Sequence, residues 1–294
     1  MIQINQITKR YGENKGVFDL TFSVPKGEVF GYLGPNGAGK TTTIRHLLGF
    51  LNPDSGSCSV NGLDCRKQAA EIQRFTGYIA GEIAFLNNMT GIEFLKLLAN
   101  MRGMKSNKKR DELLELLELD PRGNIRKMSK GMKQKLGIVT AFMHDPDVLI
   151  LDEPSSGLDP LMQNRFVELI HSEKAAGKTI LMSSHSFEEV ERSCDSIGII
   201  RLGRLAAVES IAALQAAQRK VYAVTFADAT EAQRFGETDF EILSVSGSKV
   251  EVVIFSNLTA FLSALPDFQV IALDTVQQSL EDVFMQYFGK EGAV

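Results

Sequence analysis

The sequence predicts an α/β domain followed by a smaller α+β domain. Short, continuous apolar runs alternate with helical patterns up to about residue 215, and strand-like runs dominate after it. Continuous apolar runs are typical of parallel strands that are covered on both faces. The charge balance changes at the same place: residues 216–294 hold five basic and eleven acidic side chains, whereas the rest of the chain holds 27 and 25. We therefore expect one domain at 1–215 and another at 216–294.

Composition narrows the class of protein. The chain has 294 residues, of which 44% are hydrophobic and 23% charged, so a sizeable core is available and wholesale disorder is excluded. Its net charge of −4 argues against a nucleic-acid partner. The three cysteines form no CxxC pair, and therefore indicate neither a disulfide framework nor a zinc site. The N-terminus lacks an apolar signal core and no run of about 18 apolar residues occurs, so we expect a cytosolic chain.

The elements of the first domain follow from local patterns. Buried strands are predicted at Val29–Leu33, Val148–Leu151, Thr179–Met182 and Ile197–Ile200. Helices are predicted at Thr41–Phe50, from a cap at Ser106 to Leu119, at Lys130–Met143, and from Pro160 to about Lys174. This alternation favours a parallel sheet with helices on both faces.

The second domain is predicted to be ferredoxin-like. A hairpin turn is expected at Val245–Lys249. The predicted elements are strand Val221–Phe226, helix Thr230–Phe235, strand Phe240–Val245, strand Lys249–Phe255, helix Leu258–Leu265, strand Phe268–Leu273 and helix Leu280–Phe288. This βαββαβ order is that of a small ferredoxin-like unit.

A glycine-rich loop between a strand and a helix indicates a phosphate-binding site. The segment from Gly34 to Thr41 fits the pattern GxxxxGK[ST] in the context that the pattern requires. Glycines allow successive N–H groups to face a phosphate, and the helix N-terminus adds positive potential. Lys40 is expected to reach the β- and γ-phosphates, and the Thr41 hydroxyl to hold Mg²⁺. The predicted nucleotide-binding residues of this loop are Gly34, Pro35, Asn36, Gly37, Ala38, Gly39, Lys40, Thr41 and Thr42.

Two carboxylates end a buried strand further along the chain. Asp152 and Glu153 follow the apolar run Val148–Leu151. On their own they could equally form a capped turn. Downstream of a phosphate loop, Asp152 is placed as an Mg²⁺ ligand. Glu153 then faces the space where a hydrolytic water would sit.

Four further segments resemble those of ATP-binding-cassette (ABC) ATPases. Met128–Met132 stands where the family has its LSGGQ signature, and Ser156–Asp159 resembles the D-loop. His185 follows a predicted strand like the switch histidine, and Tyr11 lies where an aromatic ring stacks on adenine. The segment Ser279–Met285 resembles the C-terminal end of exporter-type members. The sequence thus resembles the ATP-binding subunit of an exporter whose membrane protein is a separate chain.

The resemblance implies ATP and Mg²⁺ as cofactors, and roles for individual residues. Glu153 would polarise the attacking water, and His185 would bridge the γ-phosphate and the catalytic region. Asp159 would communicate across a dimer. The signature residues expected to contact the ATP bound by the opposite subunit are Ser129, Lys130, Gly131 and Met132.

The resemblance also implies partners and a location. Two ATPase subunits, identical or different, would pack head to tail around two ATP molecules. They would drive an integral membrane permease from the cytoplasmic face of the membrane. The permease contact is expected to include Ile83–Phe94, although Phe85, Leu86 and Met89 could equally be core residues.

Two departures from the family pattern affect these expectations. The signature reads Met-Ser-Lys-Gly-Met rather than Leu-Ser-Gly-Gly-Gln, but it keeps Ser129 and Gly131. In the Q-loop, Gly81 stands where the family has a glutamine that contacts Mg²⁺ or water. Either Glu82 substitutes for that glutamine, or the loop acts through its backbone alone.

Two alternative functions remain open at the level of sequence. A soluble ABC protein acting on ribosomes or DNA is disfavoured, because such members resemble two cassettes in one chain or carry a long coiled coil. A non-hydrolysing ATP sensor of a membrane complex is favoured by Gly81 and disfavoured by Glu153 and His185. An ATPase assay with and without the membrane partner distinguishes them.

Overall fold

The computed structural model describes residues 1–86, 88–216, 220–254 and 258–276, and its contacts divide the chain into two compact units. The first unit spans Met1–Ile211, and the second begins at Ala212. The predicted helix Leu280–Phe288 and the segment Ser279–Met285 lie outside the described residues.

The first unit contains two sheets and the helices that pack on them. Its strands are β1 (Ile2–Gly12), β2 (Lys15–Val24), β3 (Val29–Leu33), β4 (Ser55–Val60), β5 (Leu63–Asp64), β6 (Thr76–Ile79), β7 (Val148–Asp152), β8 (Thr179–Ser184), β9 (Ser196–Arg201) and β10 (Arg204–Ser210). Its helices are α1 (Lys40–Leu47), α2 (Ala69–Arg74), α3 (Gly91–Met101), α4 (Lys108–Leu116), α5 (Lys130–Phe142), α6 (Pro160–Ala175) and α7 (Phe187–Ser193), and α8 (Ile211–Ala216) begins at its boundary.

The six-stranded sheet has the order β10-β9-β3-β8-β7-β6 and is parallel except for the edge strand β10. Strands β3, β7 and β8 are buried along their whole length, as their continuous apolar runs predict. The register pairs Leu33 with Ser184 and Asp152 with Ser183. The carboxyl ends of three central strands therefore meet at one edge, where ligands of such sheets bind.

Strands β1, β2, β4 and β5 form a second, antiparallel sheet with the order β2-β1-β4-β5. Buried apolar side chains of this sheet, including Ile4 and Leu20, join one core cluster with Phe30 of β3 and Ile44 of α1. Helices α3 to α6 contribute to a second cluster around β6, β7 and β8. The central sheet is thus covered on both faces.

Several predicted boundaries differ from the observed ones. Helix α1 ends at Leu47 instead of Phe50, because Gly49 takes a left-handed conformation with φ of 70°. The predicted cap at Ser106 is wrong: Asn107 is the residue before α4, while the Ser106 hydroxyl accepts the Lys108 N–H. The same helix ends at Leu116, since the backbone turns into the left-handed region at Glu118.

The second unit shows the predicted βαββαβ order as far as it is described. Its elements are β11 (Lys220–Phe226), α9 (Ala229–Gly236), β12 (Glu241–Ser246), β13 (Lys249–Ile254), α10 (Leu258–Ala264) and β14 (Val270–Val276). The antiparallel sheet has the order β12-β13-β11-β14, and a core of phenylalanines including Phe226, Phe235 and Phe261 packs on one face. Within the described residues, no helix is long and apolar enough to cross a lipid bilayer.

Candidate functional site

The loop between β3 and α1 curls tightly and depends on glycines. Gly37 and Gly39 have φ values of 81° and 114°, a backbone conformation that residues with a Cβ rarely adopt. A Cβ on Gly39 would also lie 2.7 Å from Val17 Cγ1. Helix α1 starts at Lys40, so its free N–H groups point towards the loop.

The Lys40 side chain lies in the loop that precedes it and is almost completely buried. Its ammonium group donates to Gly34 O at 2.5 Å and to Pro35 O at 3.4 Å. The same nitrogen lies 3.1 Å from Glu153 Oε1, which makes an ion pair between the loop and the end of β7. One cation is thereby held among acceptors at the mouth of the loop.

Asp152 is fully buried and is oriented by two hydroxyl groups. Thr41 Oγ1 donates to Asp152 Oδ2 at 2.7 Å, and Ser183 Oγ donates to Asp152 Oδ1 at 2.5 Å. The Ser183 hydroxyl also accepts the backbone N–H of Glu153 at 3.1 Å. Ser183 therefore fixes both carboxylate residues, and we did not identify it from the sequence.

The backbone of Glu153 is left-handed, with φ of 50°, and this turns its side chain back over the site. Its Oε2 lies 2.7 Å from His185 Nδ1, which holds the imidazole ring against the carboxylate and leaves Nε2 on the far side of the ring. Behind the turn, the buried side chain of Gln134 donates to Pro154 O at 2.7 Å. Gln134 is a second positioning residue that sequence patterns did not indicate.

An open cavity of about 170 Å³ lies between the phosphate loop and the end of β7. Gly81 lies next to Asp152, because a Cβ on Gly81 would approach Asp152 Oδ2 to 3.2 Å. The Glu82 side chain is exposed. The residues that line the cavity are Pro35, Asn36, Gly37, Gly39, Lys40, Thr41, Thr42, Asp152 and Glu153.

The remaining predicted residues do not line this cavity. Tyr11 is exposed at the end of β1. Ser129 caps α5 by accepting the Met132 N–H at 3.2 Å, and the exposed Lys130 side chain reaches Ser156 Oγ of the same chain at 3.3 Å. Asp159 caps α6 by accepting the Met162 N–H at 3.0 Å.

Gly131 and Met132 lie in the first turn of α5. A Cβ on Gly131 would approach Gly157 O to 2.8 Å, so this glycine allows the signature to pack against the D-loop. The Met132 side chain is exposed. The signature segment Met128–Met132 thus contributes no residue to the lining of the cavity in the same chain.

The oxygen donors in the cavity fit a hard divalent cation bound together with a phosphate chain. The described residues contain no group of three or more His, Cys, Asp or Glu side chains that could form a metal site. Thr41 and Asp152 instead offer one hydroxyl and one carboxylate, 2.7 Å apart. Mg²⁺ commonly takes one or two protein ligands and completes its shell with water and substrate phosphate oxygens.

Comparisons with known proteins agree with this geometry. Residues 17–156 match the protein family described as ABC transporter. The chain is 36% identical to the bacitracin transport ATP-binding protein BcrA of Bacillus licheniformis, over 98% of this chain and 97% of that protein. It is 39% identical to the linearmycin resistance ATP-binding protein LnrL of Bacillus subtilis (strain 168), over 71% of this chain and 68% of that protein.

A solved structure of an ATP-binding subunit of an ABC transporter superposes with a TM-score of 0.67 at 33% identity. The match covers 73% of this chain and 92% of that chain. The similarity to BcrA extends over the second unit as well, because it covers nearly the whole length of both proteins. This chain belongs to the ATP-binding subunits of ABC transporters, which bind and hydrolyse ATP.

Proposed function

We propose that the chain hydrolyses Mg-ATP in the cavity between the phosphate loop and the end of β7. The observation that carries this proposal is the convergence of Lys40, Thr41, Asp152, Glu153 and His185 through contacts of 2.7–3.1 Å. Lys40 binds the β- and γ-phosphates in place of its contacts with backbone carbonyls. The backbone N–H groups of the loop bind the remaining phosphate oxygens.

Thr41 and Asp152 are the residues that would hold Mg²⁺, which neutralises charge on the phosphate chain. Glu153 is the general base and takes a proton from the attacking water. His185 orients the Glu153 carboxylate through Nδ1 and presents Nε2 towards the γ-phosphate side. The Gly81 backbone lies close to Asp152 and the Glu82 side chain is exposed, so we assign the Q-loop a backbone role and not a role of Glu82.

The second part of the proposal is a head-to-tail dimer. In it, the signature of each chain covers the nucleotide of the other, and Tyr11 stacks on the adenine of its own chain. Three features support this arrangement: the signature lies outside its own cavity, Ser129 and Gly131 stand at the N-terminal end of α5, and Lys130 adds positive charge there. Asp159 lies on the same surface of contact between the two chains.

The third part concerns partners and cargo. We propose that the dimer drives a separate permease at the cytoplasmic face of the membrane. The contact includes Ile83–Phe94. In this segment Leu86 is exposed, whereas the Phe85 ring packs edge-on against the Phe94 ring with 5.2 Å between the ring centroids. The names of two relatives, bacitracin transport and linearmycin resistance proteins, favour an antibiotic-like exported compound.

A mixing experiment tests the head-to-tail arrangement. Lys40→Ala removes the phosphate lysine from each site, and Ser129→Arg blocks each signature, so either variant alone is inactive. A mixed dimer has one site with both defects and one intact site. Mixing equal amounts therefore restores part of the ATPase activity if the two residues act on the same nucleotide from different chains. No restoration with stable mixed dimers would contradict the arrangement.

A further inference from the structure

A half-buried carboxyl group in α7 lies close to the catalytic pair, but it belongs to none of the expected motifs. Glu189 is the third residue of this short helix, which begins directly after His185 and Ser186. Ser186 caps the helix and accepts the Glu189 N–H at 3.3 Å. The side chain of Glu189 turns inwards, and its Oε1 is shielded from solvent without a hydrogen-bond partner among the described residues.

The second carboxylate oxygen of Glu189 binds the end of β8. Ser184 Oγ donates to Glu189 Oε2 at 2.5 Å and accepts the Ser186 N–H at 3.0 Å. The backbone of Ser184 also reaches the phosphate loop, because its carbonyl accepts the Gly34 N–H at 3.2 Å. Glu189 therefore holds the residue from which His185 extends.

Glu189 also lies beside the loop that carries Glu153. A cavity of about 290 Å³ is lined by Glu189, His185 and Ser155, which is two residues after Glu153. Burial raises the pKa of Glu189, the Ser155 and Ser184 hydroxyls oppose this effect, and the charge of Glu153 reinforces it. The Glu189 carboxyl group thus interacts both with Ser184, the residue before His185, and with the loop that follows Glu153.

We propose that Glu189 is a positioning residue. It holds the strand end that bears His185 against the loop that bears Glu153, and so maintains the hydrogen bond between His185 and Glu153. This inference rests on the proposed function of Glu153 and His185. Without Glu189, Ser184 Oγ keeps only the longer contact of 3.4 Å with Ser186 O, and the His185 ring shifts relative to the Glu153 carboxylate. A displacement of about 1 Å in a catalytic group can lower turnover by roughly 10²-fold.

The test compares three substitutions in the full-length chain. Glu189→Ala removes the acceptor, whereas Glu189→Gln keeps an oxygen that accepts from Ser184 Oγ. Glu188→Ala is the matched control, because Glu188 is the adjacent carboxylate in the chain and its side chain is 82% exposed. The measurements are kcat and KM for ATP hydrolysis, ATP affinity and the unfolding midpoint.

We expect Glu189→Ala to lower kcat by at least about tenfold while KM changes by less than about twofold, because Lys40, Thr41 and Asp152 are untouched. Glu189→Gln should keep kcat within about threefold of the wild type, and Glu188→Ala should match the wild type. If Glu189→Ala does not fold, Ser184→Ala removes the other half of the contact and should show the same selective loss of kcat.

Three results overturn the inference: an unchanged kcat in Glu189→Ala or its substitute Ser184→Ala, a KM that rises as much as kcat falls, or an equal loss in Glu189→Gln. Wild-type chain and Glu153→Gln are assayed alongside. If Glu153→Gln stays active, the proposed function fails. If it is inactive and Glu189→Ala is as active as wild type, only the role of Glu189 fails.

Discussion

Ser183→Ala should weaken the folded state because it removes the hydroxyl that serves two carboxylate residues. The hydroxyl donates to Asp152 Oδ1 at 2.5 Å and accepts from Glu153 N at 3.1 Å. The Glu153 N–H retains a contact of 3.3 Å with Ser183 O, so the main loss is at Asp152, whose side chain is fully buried. A hydrogen bond to a charged group contributes about 1.5–3 kcal/mol, and we expect the free energy of unfolding to fall by about that amount.

For a unit of this size the loss corresponds to a decrease of roughly 3–12 °C in the unfolding midpoint. The assay is thermal unfolding of the full chain, followed by circular dichroism because the sequence has no tryptophan. Ser193→Ala is the matched control: Ser193 is also buried but donates to the neutral carbonyl of Glu189 at 2.6 Å. A neutral hydrogen bond contributes only about 0.5–1.5 kcal/mol. If Ser183→Ala loses no more stability than Ser193→Ala, the charge-assisted contact with Asp152 is refuted.

Three further predictions concern binding, pH and domain organisation. Lys40→Ala should weaken ATP binding roughly tenfold or more, since a charge-assisted contact contributes about 1.5–3 kcal/mol, and unchanged affinity in calorimetry would refute the phosphate-loop assignment. Burial lowers the pKa of His144 from 6.5 to about 4. Between pH 6.5 and about pH 4, His144 is protonated in the unfolded chain but stays neutral in the folded chain. The free energy of unfolding should therefore decrease by about 1.4 kcal/mol for each unit by which the pH is lowered in this range. His144→Gln should reduce this acid sensitivity, as urea unfolding of the variant and the wild type at pH 7 and pH 5 would reveal. A chain ending at residue 216 should fold and bind ATP, and a folded truncation that cannot bind ATP would contradict the domain boundary.

The central sheet and phosphate loop could be predicted because their signals are local. Val29–Leu33 is continuously apolar, and the glycines and Lys40 follow it directly. The helix end at Gly49 was missed although a glycine after a helix is a common stop signal. The turn at Glu118 could not be predicted, since a glutamate with φ of 49° has no sequence signature.

The sequence patterns do not predict the antiparallel sheet of β1, β2, β4 and β5. Its signal is weaker than that of the central sheet, because buried and exposed residues alternate in short stretches such as Leu20, Phe22 and Val24. Register shifts also interrupt the pairing of β1 with β2. Such irregularities break the period of two on which strand prediction depends.

Within the site, the sequence identifies the residues whose chemistry is specific and misses those that hold them. Ser183 is 31 residues from Asp152, and Gln134 is 20 residues from Pro154. Neither contact leaves a pattern in the local sequence. Ser183 had one usable signal: it is a polar residue at the carboxyl end of an apolar parallel strand, next to the strand that ends in Asp152.

The most direct test of our account is the oligomeric state and turnover of Glu153→Gln with Mg-ATP. The substitution keeps the size of the side chain but removes the proton acceptor, and general-base contributions are commonly about 10²–10⁴-fold. Binding should persist, because Lys40, Thr41 and Asp152 are unchanged. We predict that hydrolysis nearly stops and that size-exclusion chromatography shows a dimer with Mg-ATP and a monomer with Mg-ADP. Undiminished hydrolysis, or a variant that stays monomeric with ATP, would contradict the account.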